Sequence, residues 1–114
     1  MIKILIKDFT NSSLAVSAND GEKIFLEISK AFEKGEKVLL DFEDIDLTIT
    51  AFLNPCIGKL YAKYPSEKIK ELLDIINLSK EEVPLLKLVI ESAKERFNKE
   101  NSGDLDENDL VDGD

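Results

Sequence analysis

The chain has 114 residues, of which 43% are hydrophobic, with a formal net charge of −9 and no histidine. This length suits one domain with a modest core, and no apolar run approaches the roughly 18 residues needed to cross a bilayer. The acidic balance argues against nucleic acid or an anionic membrane as partner, because both need clustered positive charge. The lack of histidine excludes Ser-His and Cys-His catalysis as well as Cys/His zinc sites.

The N-terminus and the single cysteine indicate the compartment. Residues 1–7 carry lysines inside an apolar stretch, which a secretory signal peptide does not. Cys56 has no second cysteine to pair with, and this suits a reducing environment. The sequence therefore predicts a cytoplasmic protein.

The first half of the chain predicts two strands, a helix and a third strand. Residues 2–7 alternate as in a half-buried strand, and residues 14–16 predict a short second strand. A helix is predicted over residues 20–34, with the Asn-Asp pair before Gly21 as its cap. Residues 37–42 are apolar on both faces, which predicts a central strand covered from two sides.

The second half predicts two helical stretches, a strand and a closing helix. Residues 51–64 have helical spacing, although the proline inside them costs about 3 kcal/mol in a helix interior, so a kink or late start is expected. A helical turn at residues 66–72 precedes a strand at residues 73–77. A capping box at residues 79–82 then begins a helix that continues to about residue 99.

Strands that alternate with helices predict an α/β fold with a small, mixed and partly parallel sheet. The charge is unevenly placed along the chain. Residues 101–114 hold six acids and no base, and they lack periodicity. We therefore expect a domain at residues 1–100 and a disordered acidic tail at residues 101–114.

Four carboxylates follow the central strand. Two or three of them could converge on Mg²⁺ or Ca²⁺, which prefer oxygen ligands. No glycine-rich phosphate loop or basic clamp lies near them in the sequence, and a solvated turn between a strand and a helix accounts for them more simply. The four residues are Asp41, Glu43, Asp44 and Asp46.

Two threonines, Thr48 and Thr50, lie between the central strand and the next helix. A phosphate at the start of a helix is stabilised by free N–H groups and the helix dipole. On a threonine here it would add roughly two negative charges beside an acidic turn. Thr50 is thus a candidate phospho-acceptor, and it is equally a candidate helix cap.

Residues 38–60 form a recognisable pattern. An apolar strand is followed by Asp41-Phe42, an acidic turn, a hydroxyl-bearing step and a helix that begins near Phe52. This pattern resembles the STAS-like domain family of unknown function, which is related to the STAS domains of anti-anti-sigma factors. Gly21 before a helix also fits.

The resemblance implies a STAS-type fold, a small sheet with helices packed mainly on one side. Anti-anti-sigma relatives bind a histidine-kinase-like ATPase that acts as a serine kinase, and their phosphorylated serine begins the helix after the Asp-containing strand. Matching the strands places Thr50 at that serine and Asp41 at the strand-end acid. The chain departs from the pattern in having Thr48-Ile49-Thr50-Ala51 for the usual serine run and Asn54-Pro55 for a polar pair.

We therefore expect a non-enzymatic regulatory module, without cofactor or metal, that docks on a protein partner and on neither nucleic acid nor membrane. The resemblance implies an ATPase-type serine kinase, anti-sigma-like, as that partner. Two other interpretations stay open, a small divalent-metal-binding protein and a nucleotide-binding module, both using residues 41–46. The expected partner-binding loop comprises Asp41, Glu43, Asp44, Asp46 and Thr48, and the expected phospho-acceptor is Thr50.

Overall fold

The structure is a computed structural model that describes the backbone of residues 1–102 and the side chains of residues 1–96. Strands and helices alternate along this part of the chain. The strands are β1 (Ile2–Leu5), β2 (Leu14–Ala15), β3 (Val38–Asp41), β4 (Leu47–Thr48) and β5 (Leu73–Ile76). The helices are α1 (Lys7–Thr10), α2 (Ala18–Glu33), α3 (Thr50–Leu53), α4 (Leu60–Lys63), α5 (Ser66–Leu72) and α6 (Val83–Ser102), with a π-helical turn at Asn54–Gly58 between α3 and α4.

The predicted α/β class is confirmed. Strands β1, β3 and β5 form a sheet in that spatial order, and β2 pairs with β4 in a separate two-stranded ribbon. Every pair among residues 1–102 is parallel, with Ile4 opposite Leu40 and Leu40 opposite Ile75 in the sheet. Parallel neighbours need crossover connections, which α2 provides between β1 and β3, and α3 to α5 between β3 and β5.

The two faces of the sheet are unequally covered. Ile4, Val38 and Leu40 are buried in one apolar core together with side chains of α2 to α6. On the opposite face, Leu39 is only half-buried, and its register partners Lys3 and Asp74 are exposed. The central position of β3 agrees with the expectation, but the expected cover on both faces is wrong because the helices pack on the face that Leu40 occupies.

Helix α2 begins at a different residue from the one the sequence suggested. Ser17 has extended backbone angles and its hydroxyl accepts a hydrogen bond from the N–H of Asp20, so Ser17 is the N-cap. The Asn-Asp pair lies inside the first turn, where Asp20 faces the positive end of the helix dipole. Gly35 follows the helix with φ of 71°, a left-handed conformation in which glycine commonly ends a helix.

The proline inside the second helical stretch is accommodated by a change of helix type. Pro55 lies in the π-helical turn, where the N–H of Lys59 reaches back five residues to the carbonyl of Asn54. The helical backbone therefore continues through Pro55, although proline has no N–H group with which to donate a backbone hydrogen bond.

Helix α2 crosses this π-helical turn at very short range. A Cβ atom on Gly21 would lie 2.5 Å from the carbonyl oxygen of Phe52 and 3.1 Å from the Pro55 ring. Gly21 is thus the residue that lets the two helical segments touch, and this contact positions the start of α3.

Some local features differ from the prediction. The short helix α1 and the strand β4 were not predicted. The capping box does not form, because the Ser79 hydroxyl donates to Glu81 and the Glu82 side chain bonds elsewhere. The predicted acidic tail lies outside the described residues from residue 103 onward. Within residues 1–102, no helix combines the length and apolar character needed to cross a membrane.

The unequal cover of the sheet predicts unequal costs for two neighbouring leucines. Leu40→Ala should lower the free energy of unfolding by about 2–5 kcal/mol, because the fully buried side chain leaves a cavity. Leu39→Ala, on the open face, should cost clearly less. Urea unfolding followed by circular dichroism measures both, and equal losses would mean that the open face is covered.

The close approach at Gly21 predicts a large effect for one added methyl group. Gly21→Ala should destabilise the protein, because its Cβ meets a backbone oxygen that cannot move independently of the helix. Gly58→Ala is a matched control, since its Cβ would meet atoms no closer than 3.5 Å and alanine favours a helical backbone by roughly 1 kcal/mol. The melting temperatures of the two variants should therefore shift in opposite directions from wild type, or differ strongly from each other. Similar melting temperatures would refute the contact.

Candidate functional site

The first acid of the predicted loop is buried at the end of β3. Asp41 is only 1% exposed, and its Oδ1 accepts hydrogen bonds from the Glu43 N–H and the Asn77 side-chain amide, each at 2.9 Å. Its Oδ2 lies 3.3 Å from the ammonium of Lys3. Asp41, at the end of β3, thus contacts a side chain within β1 and the residue that follows β5. It is buried and not available to a partner, so its place in the expected binding loop is wrong.

The surroundings of Asp41 decide its charge. Burial on its own raises the pKa of the carboxyl group, but the hydrogen bonds from Asn77 and Glu43 and the nearby Lys3 outweigh burial, so the pKa is lowered from its ordinary value. The group is therefore a carboxylate at neutral pH.

The next two acids form a tight, exposed turn. The N–H of Ile45 donates to the carbonyl of Phe42, and Asp44 has φ of 63° at the third position, where glycine or asparagine is usual. The Asp44 carboxylate lies 3.3 Å from Lys7 of α1. Glu43 and Asp44 are both exposed, as the expectation of a binding loop requires.

Beyond the turn, the chain joins the β2–β4 ribbon. Asp46 is exposed, and its N–H donates to Ser13 at 2.7 Å. Thr48 is 1% exposed, its hydroxyl donates to the carbonyl of Ala15 at 2.9 Å, and its N–H donates to the Glu82 carboxylate at 2.6 Å. Thr48 therefore links the two strands of the ribbon from the buried side. The prediction that it belongs to an exposed binding loop is wrong.

Thr50 is the exposed threonine. It is the first residue of α3, and the N-cap position is occupied by Ile49, which makes no side-chain capping bond. The alternative that Thr50 caps the helix is consequently wrong. Its side chain is exposed to solvent, and its hydroxyl takes part in none of the hydrogen bonds found among the described residues.

Sequence analysis missed an exposed apolar cluster beside Thr50. Leu14 and Leu47 are register partners in the ribbon and are 46% and 44% exposed, and Ile49 is 38% exposed. The signal lies in the alternation of residues 46–50, where apolar residues 47 and 49 stand two apart around a threonine. We call these three apolar residues, together with Asp46 and Thr50, the docking face.

The remaining reactive side chains do not add a catalytic group to this region. Cys56 is fully buried, and burial raises the pKa of its thiol, as it also raises the pKa of the half-buried Tyr61 phenol. Among the residues that the structure describes, no three acidic or thiol side chains come close enough to share a metal ion. The acids of residues 41–46 are separated because one is buried and the others point to solvent.

Comparison of the sequence with known protein families gives a match over more than half of the chain. The sequence pattern of a family described as STAS-like domains of unknown function matches residues 20–82. The chain belongs to this STAS-like domain family. The matched stretch of the STAS-like domain contains α2 from its third residue onward, β3, the docking face except Leu14, and Asn77. No curated protein and no solved structure was found to match the chain.

The buried Asp41 carboxylate predicts a pH-dependent contribution to stability. Asp41→Ala should lower the free energy of unfolding by about 1–3 kcal/mol at neutral pH, because two donors lose their acceptor. Asp41→Asn is the control for charge, since it keeps an acceptor oxygen.

The sign of the pH effect follows from the lowered pKa. Stabilisation by the charged form is complete above the unfolded pKa of about 3.9 and is lost as pH falls through the folded pKa. The difference in free energy of unfolding between wild type and Asp41→Asn, measured with urea, should be constant above about pH 5 and shrink below it. A difference that stays unchanged in acid would contradict the conclusion that the charged form of Asp41 stabilises the fold.

Proposed function

We propose that this STAS-like domain is a non-enzymatic regulatory module that binds a partner protein through its docking face. The observation that supports this most directly is the exposure of Leu14, Leu47 and Ile49 as one cluster. Apolar side chains that remain exposed together are typical of protein interaction sites. The exposed acids of the neighbouring turn would select a partner with basic groups around an apolar centre.

The finer proposal is partner switching. The partner would be an ATPase-type kinase of the histidine-kinase-like fold, and Thr50 would be its phospho-acceptor. Thr50 is exposed and stands at the edge of the apolar cluster, so a phosphate there would add charge to the contact area without entering the core. Binding and release would then follow the charge state of one hydroxyl.

The buried residues next to the docking face also support the proposal. Thr48 and Asp41 are both buried and hydrogen-bonded, so the face is presented on a fixed base. A preorganised surface loses little conformational entropy on binding. We further propose a cytoplasmic location, supported by the buried, unpaired thiol of Cys56.

The test compares full-length variants in affinity purification followed by mass spectrometry. Leu47→Ser and Thr50→Glu should each lose the same captured protein that wild type retains, whereas melting temperatures should change little because both side chains are exposed. Leu26→Ser is the matched control, since Leu26 is more exposed, at 53%, and lies on α2, which contributes no residue to the docking face.

The pattern of losses separates the two levels of the proposal. Loss with Leu47→Ser but not with Thr50→Glu would keep the docking face and refute the phosphate switch. Capture of the same proteins by wild type and all three variants would refute the docking face itself.

A further inference from the structure

A groove separate from the docking face lies next to the outer edge of the sheet. Its volume is about 440 Å³, and it is enclosed by β5, α4, α5, α6 and the π-helical turn. Leu73 and Ile75 of β5 line it and are half-buried, because β5 is the last strand of the sheet on this side. The rest of the apolar lining is Ile57, Tyr61, Ile69 and Ile90.

The backbone of β5 has free hydrogen-bonding groups beside this groove. No other strand in the described part of the chain pairs with the outer edge of β5. The carbonyl of Ile76 accepts a hydrogen bond from the N–H of Phe42, 3.0 Å away, and so points towards β3. Successive residues of a strand direct their backbone groups alternately to its two sides. The N–H and C=O of Ile75 therefore point to the open edge, and among the described residues neither has a partner.

The lining of the groove is positively charged, unlike the protein as a whole. Lys70 of α5 and Lys94 of α6 lie on it together with one acid, Glu67. Lys94 lies over the ring of Tyr61, 5.9 Å from its centroid, which keeps its ammonium at the groove. Within the described side chains neither lysine forms an ion pair. Both charges are thus available to a ligand that carries carboxylates.

We propose that β5 and this groove bind an extended, acidic segment of a partner protein, which adds to the three-stranded sheet as a further strand. The backbone of the segment pairs with Ile75, and its carboxylates meet Lys70 and Lys94. In this mode of recognition, main-chain hydrogen bonds give affinity and pockets for alternate side chains give specificity. The inference does not depend on the proposed function, because no groove residue belongs to the docking face.

The two faces of β5 set the pattern of the segment. Side chains of a strand alternate between its faces, and neighbouring strands lie about 4.8 Å apart. Every second residue of the segment would therefore lie beside Leu73 and Ile75, and apolar side chains there would cover these half-buried residues. On the other face the neighbour is Asp74, which is exposed and would repel acids. The segment should thus carry its apolar and acidic residues on one face and uncharged residues on the other.

A synthetic peptide of this pattern tests the proposal with the full-length protein. It has seven residues, with glutamates at both ends and two leucines between them, alternating with threonines. In an NMR titration the amide signal of Ile75 should shift saturably, whereas the signals of Leu26 and Lys30 on α2 should not. A second peptide with lysines in place of the glutamates should bind about tenfold more weakly or worse, because it meets Lys70 and Lys94 with like charges.

Two N-methylated forms of the acidic peptide distinguish strand addition from docking by side chains alone. One is methylated at the threonine nitrogens and the other at the nitrogens between them. An added strand directs only one of these sets of N–H groups at β5, so one form should lose binding and the other keep it. Hydrogen exchange at the Ile75 N–H should also slow about tenfold when about nine-tenths of the protein is bound. Equal binding of the two forms, or unchanged exchange at Ile75, would overturn the proposal.

Charge variants of the protein identify the surface. Lys70→Glu combined with Lys94→Glu should weaken binding of the acidic peptide about tenfold or more, whereas the matched pair Lys23→Glu with Lys34→Glu should change it much less. All four lysines are exposed, so the fold is expected to persist, and unchanged amide dispersion checks this. Equal weakening by both pairs would refute the charge complementarity. Dimerisation of the chain alone, with the Ile75 amide protected, would overturn the proposal and assign the edge to a second copy.

Discussion

One buried carboxylate sets the arrangement of this domain. Asp41 ends the central strand, and it accepts hydrogen bonds from the residue that follows β5 and from the turn that follows β3 while its second oxygen meets Lys3 of β1. A charge with 1% exposure is tolerated only when its oxygens are satisfied. The strand ends and the acidic turn are thereby fixed with respect to one another, and the docking face begins five residues later.

Two further contacts fix the backbone of the docking face. The Glu82 carboxylate binds the N–H of Thr48, which ties the start of α6 to the ribbon across 34 residues. The close approach at Gly21 fixes the position of α3, of which Thr50 is the first residue. Exposed residues 47, 49 and 50 thus stand between anchored neighbours. Their positions are set by the core, although their side chains contribute little to it.

The sequence predicts the architecture better than the site. The α/β class, the central place of β3, the helix α2 and the strand β5 follow from periodicity and turn residues. The burial of Asp41 and Thr48 does not, because a carboxylate and a hydroxyl become internal only when distant partners such as Asn77 and Ala15 arrive to satisfy them. The capping box fails for the same reason, since a tertiary partner competes for Glu82 and outweighs the local pattern.

The β2–β4 ribbon has a consequence for how the protein behaves at high concentration. A two-stranded ribbon with exposed leucines invites other chains to add as further strands, which is a common route to fibres. Here the backbone N–H of Leu14 is occupied by the Ser12 hydroxyl, and that of Thr48 by the Glu82 carboxylate. An incoming strand would find both donors taken. The leucines can therefore remain exposed while self-association through the backbone is discouraged.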